Sequence, residues 1–422
     1  MKGLLPILIG TALVIMSGCT EENLPVDQSN NEVSAHHIPV EKAKQRLLRI
    51  ASELNSETGT RAGGGIAGTD RPITSVTTLG KDQQRLTRGD ESEAAYYVFR
   101  FGDNEGFAIM AADDRLPEMM AIASGTPNQD DPTADLPDTT FWQVPGIGDI
   151  NGGLDSAINT QNPDIHEPNE PGRPYTKLHQ TDKILVHWGQ RAPFNALLEF
   201  SHPDSIELRP PTPAVAVAQV LTRKEFRNTH VLNYRINSYP YNSYTDTVNF
   251  NQLCRCRYDW DFEDRPDMAL MVAKLFRSFQ SEHSLDLHFW HDGFDAVNNV
   301  YYWEGYLPVP CTSEDSNDFI GRTLRSLGLQ CENSKTSFTI NYAMQGSFYS
   351  KVYQLLRGGN TIIVGGWDVD KDAYIVHNAM SYDDAPATTY FLVNNCRGGN
   401  GDGYYLATGC TQRVFFTVSK SN

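Results

Sequence analysis

The sequence predicts an α+β fold, and three observations carry that prediction. Apolar residues recur at helical spacing in some stretches, as with Ala43, Leu47, Leu48, Ile50 and Ala51 among Glu41, Lys42, Lys44, Arg46 and Arg49. Other stretches are short runs of Tyr, Phe, Val and Ile bounded by turn residues, which read as strands. The 19 Tyr, 19 Phe and 6 Trp point to a β-rich interior packed with aromatic rings. A chain of 422 residues is long enough for two or three domains and a large core. Hydrophobic residues at 40% and charged residues at 21% are an ordinary globular balance. The formal net charge of −17 argues against a nucleic-acid partner, which wants a basic surface.

The first residues read as a targeting segment. Met1-Lys2 is a short basic start, and residues 4–16 form an apolar run too short to span a bilayer. Ser17-Gly18-Cys19 then sets small residues before a cysteine. This resembles a bacterial lipoprotein signal, with residues 1–18 removed and Cys19 lipidated; a plain secretory signal with an incidental cysteine is the alternative. The resemblance implies stable anchoring through several acyl chains at the bacterial envelope, at an outer membrane facing the periplasm or the cell surface. Residues 19–34 are a polar tether, acidic at Glu21 and Glu22.

A helix is expected over 40–54, followed by a Gly-, Thr- and Ser-rich loop over 55–90 with room for one short strand. Residues 96–101 and 106–112 read as two strands joined by the Gly102-Asp103-Asn104-Glu105 turn, and 119–123 as a third strand. Residues 127–175 are rich in Pro, Asp, Asn and Gly and read as a linker. Residues 211–221 read as a buried helix. Thr212 is placed to cap it and Pro213 to fill its first position, and no polar side chain interrupts the Ala/Val run before Gln219. Further on, 266–280 and 316–327 read as helices, 285–290 and 338–345 as strands, and 346–356 as a helix.

Several short motifs then fall in order. The helix-plus-hairpin unit, ending in Ala112-Asp113-Asp114-Arg115, resembles the prodomain of streptopain-type cysteine peptidases and the related stand-alone inhibitor. Trp188-Gly189-Gln190, followed by Pro193-Phe194-Asn195, resembles that family's opening motif. Ala214, Ala216, Ala218 and Gln219 keep the frame of its nucleophile helix, Gly359, Gly366 and Trp367 that of its histidine segment, and Asn394 with the glycines after it that of its Asn-Trp-Gly loop. The resemblance implies a papain-like fold, a helical half plus an antiparallel β-half, over 176–422. A small α+β prodomain-like module over 35–126 would precede it.

Carried over residue by residue, the resemblance implies that Gln190 holds the oxyanion-hole position, where an amide donates to a developing oxyanion. It puts Thr212 at the nucleophile position, Asn360 at the base position and Asn394 at the position that orients the base. Both members of the dyad are then replaced. An internal threonine hydroxyl is a poor nucleophile without a base, and an amide does not titrate.

These residues imply a catalytically inactive peptidase homologue that binds peptides or proteins at the envelope. Two alternatives stand. One is an active cysteine-type endopeptidase using a displaced dyad, with Cys396 and His377 as the candidate pair. The other is an inhibitor acting through the N-terminal module. No cofactor is expected. His288, His291 and Asp292 are a weak candidate metal set, and Cys254 and Cys256 lack a second ligand pair at zinc spacing. Beyond Cys19, six cysteines (Cys254, Cys256, Cys311, Cys331, Cys396 and Cys410) are an even number that favours disulfides in an exported chain, with Cys396–Cys410 the favoured pair.

Overall fold

A computed structural model of the chain describes residues 36–56, 71–80, 85–87, 93–103, 105–114, 116, 118–126, 176–177, 186–198, 208–210, 212–235, 242–282, 290–295, 300–304, 319–333, 354–356, 358, 360–366, 373–381, 389–406 and 413–420. The expected signal, Cys19, the tether and the 127–175 linker lie outside them. No helix among the described residues is long and apolar enough to cross a membrane.

The N-terminal module begins with helix α1, Val40–Ser56. Its apolar stripe is the one the sequence spacing predicts: Ala43, Leu47, Ile50, Ala51 and Leu54 are all buried. Four strands follow: β1, Ile73–Leu79; β2, Tyr96–Phe101; β3, Gly106–Ala111; and β4, Met119–Ser124. Each pairs antiparallel with the next. The strands β2, β3 and β4 are buried along their whole length, which explains why they read as near-continuous apolar runs without alternation. Arg46 and Arg49 of α1 both reach the buried Glu118 carboxylate, which fixes the helix to the start of β4.

The body has a helical part and a sheet part. Strands β5, Thr176–Lys177, and β6, Leu208–Arg209, precede helix α2, Thr212–Val220. A hairpin of β7, Thr229–Arg235, and β8, Ser243–Asn249, leads into the short helix α3, Phe250–Leu253, capped by the Asn249 side chain. A 3₁₀ turn at Asp259–Phe262 and helix α4, Pro266–Glu282, complete this part. Then come β9, Trp290–Asp295; β10, Val300–Glu304; helix α5, Phe319–Ser326; and β11, Leu329–Asn333. The last strands are β12, Thr361–Gly366; β13, Ala373–Ser381; β14, Thr389–Asn394; β15, Gly403–Leu406; and β16, Arg413–Lys420.

One 11-stranded sheet runs through the molecule, in the order β1-β2-β3-β4-β15-β14-β13-β12-β16-β11, with β5 paired on β13. The strands of the module and those of the body are thus parts of the same sheet, joined where β4 meets β15. Successive residues of a strand face opposite sides. Ile375 of β13 packs into a core built on α2 and α4, whereas its neighbour Val376 packs into a core built on α1 and β2–β4. At β13 the sheet therefore separates the two cores.

Some expected elements shift. The helix expected over 316–327 is Phe319–Ser326, and the strand expected over 285–290 begins at Trp290 among the described residues. The strand expected over 338–345 lies outside them, and of the 346–356 helix only 354–356 is described, as helix. The disulfide expectation is corrected for Cys254 and Cys256, which are free thiols; Cys410, the partner expected for Cys396, lies outside the described residues. Even parity is a count, and it carries no information on where the chain sets its Cα atoms.

Candidate functional site

Helix α2 is the centre of the site. Thr212, at 1% exposure, and every residue from 214 to 220 are buried. The helix opens on Thr212 with Pro213 second, one position earlier than the cap-then-proline order the sequence predicts; helix ends often differ by a residue.

Gln190 is brought to this N-terminal end. Its side-chain amide donates to the Pro210 carbonyl at 2.7 Å, two residues before Thr212. The segment carrying Gln190 is fixed by its neighbours. Trp188 is fully buried, its indole N–H donates to the Cys256 carbonyl at 2.7 Å, and its ring packs against Phe194 and Phe262. The Gly189 N–H donates to Asp259 Oδ1 at 2.9 Å. A Cβ on Gly189 would lie 2.5 Å from Asp259 Oδ2 and 3.1 Å from the Gly398 N, so a side chain there would displace the Asp259 carboxylate. Burial pushes the Asp259 carboxyl up to about 6, and the Gly189 N–H bond only partly offsets this.

At the other end of α2 the structure places a buried amide pair. Gln219 Nε2 donates to Asn394 Oδ1 at 3.2 Å, and Asn394 Nδ2 donates back to Gln219 Oε1 at 2.9 Å. Asn394 also donates to the Val186 carbonyl at 3.0 Å and accepts from the Cys396 N–H at 2.9 Å. Gln219 Oε1 further accepts from the Trp188 N–H at 3.3 Å. Asn394 therefore lies about two helical turns along α2 from Thr212, engaged with Gln219. Sequence reasoning used Gln219 only to set the frame of the helix. Its position as the first polar residue after a run of Ala and Val was the signal that it must find a buried partner.

Asn360 is not beside these groups. Its N–H and its Nδ2 both donate to the Leu355 carbonyl, at 3.1 and 2.9 Å. It closes the 354–356 turn at the head of β12, and β13 stands between β12 and β14. Among the described hydrogen bonds none joins Asn394 to Asn360: those of Asn394 go to Gln219, Val186 and Cys396, and those of Asn360 to Leu355. The strand beside Asn394 is β13, whose Ile375 is its direct partner. His377 lies on β13 at the register shift between the Val376–Val393 and Asn378–Leu392 pairs, and β13 is also the strand against which α2 packs.

The loop after Asn394 completes the surroundings. Asp402 accepts from the Asn395 N–H at 2.8 Å through Oδ1, while its Oδ2 lies 2.5 Å from His187 Nδ1. The His187 ring stacks on Tyr258, and Tyr258 stacks on Trp260, with centroids 4.9 and 4.3 Å apart. Cys396 is fully buried, with its thiol 3.8 Å from the Asn394 carbonyl. Burial pushes the Cys256 thiol up. His291 and Asp292 lie in β9, His288 is outside the described residues, and no metal-holding group of three or more His, Cys, Asp or Glu occurs among the described residues.

Comparison with known proteins gives three findings. Residues 48–141 match the Spi protease inhibitor family. A prointerpain A fragment from Prevotella intermedia is similar at 19% identity, over 81% of this chain and 98% of that one, with a TM-score of 0.44. The active wild-type interpain A cysteine protease from the same organism is similar at 17% identity, over 59% of this chain and 97% of that one, with a TM-score of 0.32. At these TM-scores neither likeness bears on where any side chain lies. No curated protein matches the chain. The fold is α+β with an antiparallel sheet, and the segment containing β1 to β4 is similar to the Spi protease inhibitors.

Proposed function

We propose that this chain is a catalytically inactive relative of streptopain-type cysteine peptidases, anchored at the bacterial envelope through Cys19, that binds peptides or proteins. The observation that carries the proposal is Thr212, a fully enclosed hydroxyl at the start of α2. A helix N-terminus stabilises a thiolate through its dipole and free amides. A threonine hydroxyl stays protonated there at neutral pH, so without an activating base it does not attack a peptide carbonyl. Gln190 stands at the same helix end with one amide hydrogen on Pro210 and a second left to donate. A site that keeps its donor without its nucleophile can hold a carbonyl and leave it intact.

The test is hydrolysis of a peptide substrate mixture by purified residues 20–422. No turnover above background is expected, and no time-dependent loss of the N-terminal module. Hydrolysis or self-cleavage that a thiol alkylator stops would show a working cysteine peptidase. Cys19→Ala is expected to move the protein from membranes to soluble fractions or to block signal cleavage. Unchanged membrane association would place the anchor elsewhere.

The match of residues 48–141 to the Spi protease inhibitors favours a second reading, in which the module inhibits another peptidase. Inhibition of a panel of cysteine peptidases by the same preparation would single it out.

A further inference from the structure

We infer that the N-terminal module, residues 36–126, stays seated on the body when the chain between them is cut, with the β4–β15 pairing as a permanent internal dock. The polar part of the dock is a short ladder with clasps at its end. Gly403, Tyr404 and Tyr405 pair with Ala123, Ile122 and Ala121. The Ser124 N–H and hydroxyl both donate to the Asp402 carbonyl, at 2.9 and 3.1 Å, and the Gly401 N–H donates to the Ser124 carbonyl at 2.9 Å. The Thr126 N–H donates to Asn400 Oδ1 at 3.0 Å, and the Tyr390 hydroxyl donates to the Met119 carbonyl at 2.9 Å.

The apolar part is a single core drawn from both sides. Val376, Tyr390, Phe391, Val393, Tyr404 and Tyr405 of the body are buried in the same cluster as the module's own core residues. Separation would expose these rings and leave the β4 and β15 edges unpaired, and both costs fall on each fragment. The fit at the ladder is close. A Cβ on Gly403 would lie 2.3 Å from the Ile122 carbonyl oxygen and 2.5 Å from Ala123 Cα, contacts that only backbone movement could relieve. The dock is also braced from behind, because the Asp402 side chain holds His187 and the Asn395 N–H while its carbonyl holds Ser124.

Two consequences separate this inference from the proposed function. The β15 edge is not open to an added peptide strand, so a peptide ligand must bind elsewhere. The β4 edge is not open to a foreign peptidase, so the module cannot inhibit in trans through that edge while docked.

The experiment places a site-specific protease sequence in the 127–175 segment of residues 20–422. After complete cutting, both fragments are expected to elute together at the volume of the uncut chain in size-exclusion chromatography. In the Gly403→Val variant, the same cut is expected to release the N-terminal fragment. Release from the cut wild-type chain overturns the inference. Should the variant fail to fold, hydrogen exchange on the uncut wild-type protein decides: peptides covering β4 and β15 are expected to be as protected as those covering β14. Exchange at the seam faster by orders of magnitude overturns the inference. Peptide hydrolysis would defeat the proposed function and leave this dock intact, whereas separate elution does the reverse.

Discussion

The two ends of α2 differ in kind. At its N-terminal end a buried threonine opens the helix, and the one bond described for the Gln190 side chain is to the Pro210 carbonyl just before it. At its C-terminal end, Gln219 and Asn394 saturate each other and also hold the Trp188 N–H, the Val186 carbonyl and the Cys396 N–H. One end can change its chemistry without disturbing the fold. The other cannot, because each of its amides supports several backbone segments at once.

The largest expected effect tests that contrast directly. Gln219→Leu leaves one Asn394 Nδ2 hydrogen and the Trp188 N–H buried without acceptors, while Asn394 keeps its bonds to Val186 and Cys396. At about 1–3 kcal/mol for each unsatisfied group, it should cost roughly 3 kcal/mol or more. Thr212→Ala should cost about 1 kcal/mol, the scale of a lost helix-start hydroxyl. Chemical denaturation of both variants checks the ratio, and equal costs would erase the distinction between the two ends.

A second prediction asks what the N-terminal end lacks. Thr212→Cys puts a thiol at a helix start, and iodoacetamide labelling at about pH 6 should run faster than for a free thiol of pKa ~8.5. Because α2 packs against β13, the strand that carries His377, His377→Ala in that background should slow the labelling, while Asn360→His should not speed it. If Asn360→His alone accelerates labelling, position 360 regains the role that the sequence motif implied.

A smaller effect concerns Asp259, which pins Gly189 beside Gln190. Its folded value of about 6 lies above the ordinary carboxyl value of 3.8, so the folded state holds the proton more tightly than the unfolded state does. The associated stability is present below the unfolded value and is lost as pH rises from about 4 to about 6, after which the penalty is constant. Asp259→Asn cannot titrate. Its melting temperature relative to wild type should therefore rise across that window and then level off, by about 2–4 °C for each kcal/mol involved. A flat difference between pH 4 and pH 7 would mean that Asp259 is better solvated than its position indicates.

Much of the local structure was legible in the sequence. The spacing of Ala43, Leu47 and Ile50 specified α1, the Gly102–Glu105 turn specified the β2–β3 hairpin, and the Thr-Pro-Ala-Val start specified α2. These are signals read within a few residues. What stayed hidden depends on pairing between distant segments. Nothing near Gln219 names Asn394 as its partner. An apolar run flanked by glycines is common to β12 and to other strands, and only the order of strands across the sheet shows that β13 is the one that borders Asn394. The free thiols were missed for the same reason.

The seam has a further meaning for the order of assembly. Ala123 meets Gly403, 280 positions further along the chain, so β4 reaches its partner only when nearly the whole chain is present. Until then Met119–Ser124, an apolar strand paired to β3 on one edge only, is complete and waiting. During synthesis the chain must keep that strand from pairing with other copies until β15 is made. A truncation just before Gly403 should therefore yield aggregates rather than a smaller folded protein.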